Sequence, residues 1–207
     1  MINLLQFFLN IDNSIISIIG NYGIFAYFIL FLVIFLETGI VVTPFLPGDS
    51  LLFAIGTIAA SGIINVWVLF VLLSIAAILG DTVNYFLGNY FGERVFLKFR
   101  FFNQKHLDRT KTFYEKYGGK TIILARFIPV IRTFAPFVAG IGKMNYPKFL
   151  FFNIIGGILW VGLFLFSGYF LGTIPFVKEN LTFVVLIIII ASLIPAVIEI
   201  IRHKMNK

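Results

Sequence analysis

Two arginines, Arg126 and Arg132, lie in an otherwise apolar stretch that ends at Gly140. A guanidinium carries a planar set of N–H donors that suits phosphate oxygens. Placing its charge at membrane depth costs at least ~2.5 kcal/mol. Pro129 and Pro136 are both predicted to break the helix here, because each lacks an N–H and clashes with the preceding turn. Broken backbone at that depth is tolerated only where protein or a water-filled cavity surrounds it. The stretch therefore indicates a binding site, and the alternative is a structural salt bridge that locks a re-entrant hairpin.

A second apolar stretch also combines ionisable side chains with proline. Glu37 follows one hydrophobic run, and Pro47 and Gly48 directly precede Asp49 at the start of the next. Half-helices that begin near Pro47 and Pro129 would offer N–H groups without helical partners and the positive end of a helix dipole. The two carboxylates balance the charge of the two arginines.

The composition is that of an integral membrane protein. Of the 207 residues, 60% are hydrophobic and 12% are charged, and the mean hydropathy is +1.02; an average soluble domain has about 25% charged residues. The net charge of +7 could suggest a nucleic-acid partner, but the placement of the charges along the chain argues against one. The absence of cysteine excludes disulfides and thiolate chemistry.

Four apolar spans are predicted, at about residues 22–36, 66–90, 149–171 and 181–201. If the two proline-containing segments are re-entrant, all but three of the 16 Lys and Arg residues fall on one side of the membrane. The positive-inside rule then places that side, with both termini, in the cytoplasm. If both segments spanned the membrane fully, the basic segments 93–120 and 143–148 would lie on opposite sides. The charge distribution therefore favours the re-entrant arrangement.

The predicted fold is an all-α polytopic membrane protein with a single domain, residues 1–207. Repeat 1 covers about 20–92 and repeat 2 about 121–201, in opposite orientations, each with one re-entrant, proline-broken hairpin. The intervening cytoplasmic segment, 93–120, mixes basic and aromatic residues. That pattern is typical of an amphipathic helix on anionic lipid headgroups or of an ordinary positive loop. Inverted repeats with paired, Gly/Pro-interrupted segments are typical of transporters.

Four groups of residues in this order resemble the motifs of the DedA family, also called the SNARE-associated or VTT-domain family. They are Glu37; residues 44–49; Gly80 and Asp81 with Tyr85 and Gly88; and residues 126–133 with Gly140. The resemblance covers about residues 20–200. Asp49 stands where other members of the family can carry Glu.

The resemblance implies a multi-pass protein of the bacterial cytoplasmic membrane that moves polyprenyl phosphate lipids between leaflets. Undecaprenyl phosphate is the leading substrate, and protons or the membrane potential drive the movement. Arg126 and Arg132 would bind the phosphate, and Glu37 and Asp49 would couple transport to protons. Supporting residues would be Pro47, Gly48, Asp81, Pro129 and Thr133. Of these, Asp81 is expected to be structural rather than functional.

The expected partners are therefore the lipid phosphate and, at the cytoplasmic face, anionic membrane lipids. No cofactor or metal is expected, and the sequence carries no signal of an oligomeric state. Because a carboxylate competes with phosphate for an arginine, a proton on Glu37 or Asp49 could switch that arginine to the substrate. The same four charges would also fit two static ion pairs.

An enzyme, for example a lipid phosphatase, is the alternative from another class. Such chemistry usually needs a nucleophilic or acid–base histidine or a metal cluster. Both histidines, His106 and His203, lie in polar segments away from the arginines, and no metal-ligand spacing occurs. A transporter is therefore predicted, not an enzyme. Two further alternatives are a non-specific phospholipid scramblase and a proton-coupled small-molecule exporter, although buried arginines disfavour a cationic substrate.

Overall fold

The computed structural model describes residues 24–39, 48–98 and 118–180, together with residues 183, 184 and 187. Every regular element defined in these residues is a helix. The helices are α1 (Ile24–Gly39), α2 (Gly48–Ala60), α3 (Val66–Lys98), α4 (Lys120–Ala125), α5 (Pro129–Ile141), α6 (Tyr146–Leu171) and α7 (Pro175–Glu179). The predicted all-α class is confirmed.

Two helices in the described part of the chain are long and apolar enough to cross a membrane. They are Val66–Phe91, within α3, and Tyr146–Leu171, which is α6, each of 26 residues. At 1.5 Å per residue such a helix is about 39 Å long, more than the ~30 Å of a hydrocarbon core. One side of α3 keeps large apolar side chains exposed, as a lipid-facing surface would, at Val71, Ile75, Leu79, Val83 and Phe86. Apolar helices thus occupy the spans predicted at 66–90 and 149–171.

The other predicted membrane segments are described only in part. The span predicted at 22–36 corresponds to α1, which has 16 residues, and the span predicted at 181–201 lies almost wholly outside the described residues. The predicted surface segment 93–120 begins as a continuation of α3, and its residues 99–117 are also outside the described part. The four spans, the re-entrant hairpins and the inverted orientation of the repeats stay predictions.

The two prolines of the arginine stretch behave differently. Pro129 is the first residue of α5, a position that suits proline because the N–H there has no helical partner. The preceding Ile128 is extended, with φ −116° and ψ 106°, as expected before proline. Pro136 lies inside α5, so the prediction that it breaks the helix is wrong. The helix continues through Pro136 because its neighbours Ala135 and Ala139 are packed into the core of this region, and packing by other helices offsets the lost hydrogen bond.

Two compact units divide the described residues. Unit 1 contains residues 24–33, 48–73 and 161–180, and unit 2 contains residues 34–39, 74–98 and 118–160. The helices α1, α3 and α6 contribute to both units. The predicted division into two sequence repeats stays a prediction.

In unit 1, α2 packs against α6 at backbone distance. A Cβ placed on Gly56 would lie 2.9 Å from the amide nitrogen of Tyr169, and one placed on Gly168 would lie 2.8 Å from the carbonyl carbon of Phe53. Thr57 strengthens the contact, because its hydroxyl donates to the carbonyl of Gly168 at 3.2 Å. Small residues of this kind let membrane helices approach each other closely, so both glycines are needed for the contact.

Unit 2 contains the same contact between α5 and α3. A Cβ placed on Gly140 would lie 2.7 Å from the amide nitrogen of Asn89, and one placed on Gly88 would lie 2.8 Å from the carbonyl carbon of Phe137. The spacing matches unit 1, because the glycine of the short helix comes three residues after a phenylalanine in both cases. The facing carbonyls also correspond: Gly56 faces the carbonyl of Leu165, three residues before Gly168, and Gly140 faces the carbonyl of Tyr85, three residues before Gly88. Each unit therefore contains one helix–helix contact of the same geometry.

Candidate functional site

Unit 2 contains two buried ion pairs, and each pair uses one of the two arginines. Arg126 donates from Nη2 to Oδ2 of Asp81, and Arg132 donates from Nη2 to Oε1 of Glu37. All four residues are at most 3% exposed. Two cations and two anions buried in one unit form a charge-balanced candidate site.

Arg126 lies in the turn that joins α4 to α5. Backbone hydrogen bonds between residues three apart tighten this turn; for example, the N–H of Arg126 donates to the carbonyl of Ile123 at 3.3 Å. The turn ends at Pro129, the first residue of α5. The Arg126 side chain runs beside Gly156 and Gly157 of α6; a Cβ on Gly156 would lie 3.0 Å from its Cδ. The glycine pair therefore leaves the space that this side chain occupies.

Asn153 of α6 also contacts Arg126, because its Oδ1 accepts a hydrogen bond from the same Nη2. Its amide nitrogen donates to the carbonyl of Ile78 at 3.0 Å and to the hydroxyl of Thr82 at 3.4 Å, both in α3. An amide has donors at one end and an acceptor at the other. The bonds to α3 therefore turn the Asn153 oxygen toward the arginine.

Arg132 lies one turn into α5, where its N–H donates to the carbonyl of Ile128 at 2.8 Å. Its guanidinium carbon is 4.6 Å from the ring centroid of Trp160, and Trp160 is completely buried in α6. A cation within about 6 Å of an indole face is attracted to it. Arg132 is therefore held by a carboxylate from α1 and by an aromatic ring from α6.

Replacing Trp160 by leucine is expected to lower the free energy of unfolding by about 3 kcal/mol, because the change removes buried volume and the cation–π contact. Trp160→Phe should lose less, since it keeps a ring face. Chemical unfolding of the purified protein measures both. Trp67→Leu is the matched control, and its loss should stay below about 1 kcal/mol because Trp67 is 66% exposed. Equal losses at the two positions would contradict the assigned role of Trp160.

Asn84 of α3 connects the two backbone segments that carry Glu37 and Arg132. Its amide nitrogen donates to the carbonyl of Thr38 at 3.4 Å and to the carbonyl of Thr133 at 2.6 Å. Thr38 directly follows Glu37, and Thr133 directly follows Arg132. One amide group therefore fixes both segments to α3.

Replacing Asn84 by alanine is expected to cost about 2 kcal/mol of unfolding free energy, because two buried carbonyls lose a donor. Thermal unfolding of the purified variant measures the loss. Asn180→Ala is the control, since it also removes an amide-to-carbonyl bond, to Phe176 at 3.0 Å, but at an exposed site. It should change stability by less than about 0.5 kcal/mol. A loss at Asn84 no greater than this would mean that the bridge contributes little.

The sequence predicted that Glu37 or Asp49 would lie within salt-bridge reach of Arg126 or Arg132, and the ion pair of Glu37 with Arg132 confirms this prediction. Arg126 is paired with Asp81, the acid for which the sequence favoured a structural role. Asp49 is buried at the start of α2, in unit 1, whereas the other four ionisable residues belong to unit 2. The functions assigned to these side chains stay predictions.

Of the predicted supporting residues that the structure describes, two lie at helix starts and two, Asp81 and Thr133, are buried in unit 2. Gly48 is the first residue of α2, and Pro129 is the first residue of α5. The start of α2 confirms the helix start predicted near Pro47. Pro47 itself lies outside the described residues. Thr133 is buried and its carbonyl accepts from Asn84.

Three contacting residues were missed by sequence reasoning, namely Asn84, Asn153 and Trp160. The two asparagines had a usable signal, because an amide within an apolar membrane helix must find a hydrogen-bond partner. Trp160 is completely buried and offered no comparable signal. Among the described residues, no group of three or more His, Cys, Asp or Glu side chains could hold a metal ion.

Comparisons with known proteins agree on one family. Residues 46–170 match the VTT domain. The chain is 54% identical over 205 residues to Protein DedA of Escherichia coli K12, an alignment that covers 97% of this chain and 94% of that protein. It is 46% identical over 185 residues to an uncharacterized membrane protein of Mycobacterium leprae, covering 87% and 83% of the two chains. It is 37% identical over 151 residues to the inner membrane protein YqjA of Escherichia coli, covering 72% and 69%. No solved structure matches.

Proposed function

The chain belongs to the DedA family of VTT-domain membrane proteins, and on that premise we propose that it is a transporter of polyprenyl phosphate lipids. It moves the lipid between the leaflets of the bacterial cytoplasmic membrane, and undecaprenyl phosphate is the proposed substrate. Movement is coupled to protons or to the membrane potential. Both termini are proposed to be cytoplasmic.

The observation that carries the proposal is the burial of Arg126 and Arg132 in one unit of a membrane protein. Each buried charge costs at least ~2.5 kcal/mol in the membrane, and buried ion pairs do not generally stabilise a fold more than apolar residues would. A purely structural explanation is therefore weak. A phosphate monoester is a compact dianion, and two guanidinium groups match both its charge and its oxygen geometry.

The proposed coupling uses the acids that compete for these arginines. Glu37 occupies Nη2 of Arg132, which is where a phosphate oxygen would bind. A proton taken up by Glu37 neutralises the carboxylate and frees Arg132 for the lipid, and loss of the proton reverses the exchange. Asp49 is proposed as a second proton-coupling residue, in keeping with its burial at the start of α2.

We also propose that α2 and α5 are corresponding half-helices of an inverted repeat, each from a re-entrant hairpin. The matching glycine contacts of α2 with α6 and of α5 with α3 support this correspondence. Inverted repeats with interrupted helices are a common basis of alternating access in secondary transporters.

Transport in proteoliposomes tests the proposal. Undecaprenyl phosphate and phosphatidylcholine are compared in vesicles with and without the protein, with and without an imposed proton gradient. We expect protein-dependent movement of the monophosphate lipid, a response to the gradient, and little movement of the zwitterionic lipid. Equal movement of both lipids would indicate a non-specific scramblase instead. Movement of neither, with proton-driven efflux of a small solute, would indicate an exporter.

A further inference from the structure

Both acceptors of Arg126 bind the same nitrogen. Nη2 of Arg126 donates one hydrogen bond to Oδ2 of Asp81 and another to Oδ1 of Asn153. A guanidinium binds a phosphate at two points along either of two edges, one made by Nε with Nη2 and the other by Nη1 with Nη2. Nη2 belongs to both edges, so the two acceptors together block both modes of two-point binding.

The remaining nitrogens of Arg126 are buried and have no hydrogen-bond partner in the described part of the chain; these are Nε and Nη1. They lie on different edges and cannot form a two-point contact without Nη2. The guanidinium thus holds spare donors that become useful to a phosphate only when one acceptor leaves.

The two acceptors are not held equally firmly. Asn153 is anchored by two further bonds, to Ile78 and Thr82. The other carboxylate oxygen of Asp81, Oδ1, is buried and has no hydrogen-bond partner among the described residues. A buried acceptor without a partner is costly, so Asp81 is the acceptor that can leave more easily.

We propose that Asp81 is a positioning residue whose carboxylate exchanges with the substrate phosphate at Arg126, while Asn153 stays bound and keeps the guanidinium oriented. The inference rests on the proposed function and adds a residue to it. In this view Arg126 and Arg132 each have an exchangeable carboxylate, Asp81 and Glu37 respectively.

The test measures binding of farnesyl monophosphate, a short polyprenyl phosphate, to the purified full chain in nanodiscs, and transport of undecaprenyl phosphate in proteoliposomes. Asp81→Asn removes the competing charge and keeps the shape, so the Kd should fall by about tenfold, the size of one charge-assisted hydrogen bond. The maximal transport rate should fall as well, because release of the phosphate loses its competitor.

Asn153→Asp adds a second competing carboxylate at the same nitrogen, so the Kd should rise by a similar factor. The double variant D81N/N153D moves the carboxylate from α3 to α6 and should return the Kd to within about threefold of the wild type. Asn145→Asp is the matched control: it adds the same charge to the start of α6 at an exposed cap, where Asn145 accepts from the N–H of Lys148 at 3.2 Å. Its Kd should be unchanged.

The direction of the change separates the two roles of Asp81. A structural brace would give weaker or unchanged binding in Asp81→Asn, and either result overturns the inference. If Asp81→Asn does not fold, the Kd of Asn153→Asp becomes the deciding measurement. An unchanged Kd in Asn153→Asp then overturns the inference. If the wild type binds farnesyl monophosphate and loses it in Arg126→Gln, the proposed function stands whatever Asp81 does. If the wild type does not bind the probe, the proposed function and this inference both fail.

Discussion

Replacing Glu37 by glutamine and Arg132 by methionine in one chain is expected to give a folded protein that no longer transports lipid phosphate. The unfolding free energy should stay within about 1 kcal/mol of the wild type, because exchanging a buried ion pair for neutral residues of similar size is often neutral. Transport should fall to the level of empty vesicles, since the phosphate loses one of its two guanidinium ligands. Chemical unfolding and proteoliposome transport measure the two effects separately.

The single variants provide the contrast. Glu37→Gln or Arg132→Met alone leaves a buried charge without its counter-ion, which should cost about 3–5 kcal/mol. Lys148→Ala is the control, because Lys148 is an exposed basic residue at the start of α6, and it should change neither property. Wild-type transport by the double variant would mean that the pair is a static brace.

Arg132→Lys tests the same site in a different way. Lysine keeps the positive charge but loses the planar two-point contact with phosphate and interacts differently with the Trp160 ring. We expect normal folding and strongly reduced transport. Full activity in this variant would show that Arg132 contributes only charge.

A single added methyl group at Gly168 is expected to destabilise the protein by more than about 3 kcal/mol. The Cβ of Gly168→Ala would meet the backbone of Phe53 in α2. Because backbone cannot move aside as a flexible side chain can, the loss of stability lies at or above the usual range for overpacking. Gly162→Ala is the matched control on the same helix. Its Cβ would lie 3.4 Å from the ring of Phe70, an ordinary contact, and alanine favours the helix by up to about 1 kcal/mol.

Gly88→Ala extends this prediction to unit 2. The geometry at Gly88 and Phe137 matches that at Gly168 and Phe53, so the two variants should lose similar amounts of stability. Thermal unfolding and the yield of folded protein from membranes measure both. A tolerated alanine at either position would show that the helices can separate there at little cost.

Local sequence was sufficient to predict the helical class, the helices at 66–90 and 149–171, and the start of α5 at Pro129. Apolar length and the chemistry of proline at a helix N-terminus determine these features without tertiary information. Pro136 has the same local chemistry but a different outcome, because packing around Ala135 and Ala139 decides whether the helix continues. That packing cannot be read from the residues next to the proline.

The residue types of the site were predictable from the sequence, but the pairing of acids with arginines was predictable only in part. Intramembrane charges stand out in the sequence, and either Glu37 or Asp49 was expected within reach of Arg126 or Arg132. Asp81 is 45 residues from Arg126, and no local pattern distinguishes it from Asp49 as the partner. The choice depends on the contact between α3 and the turn before α5, which is a property of the folded chain.

The bridge made by Asn84 also limits how the ion pair of Glu37 and Arg132 can open. Asn84 holds the carbonyls of Thr38 and Thr133, the residues that directly follow the acid and the arginine. While this bridge is intact, the two backbones cannot move apart, so the pair must separate by rotation of its side chains. Such rotations belong to a faster class of motion than helix displacements, which take on the order of microseconds to milliseconds. Exchange of ligands at Arg132 is therefore expected to be fast and local, with the rate of any transport cycle set by a slower movement of helices.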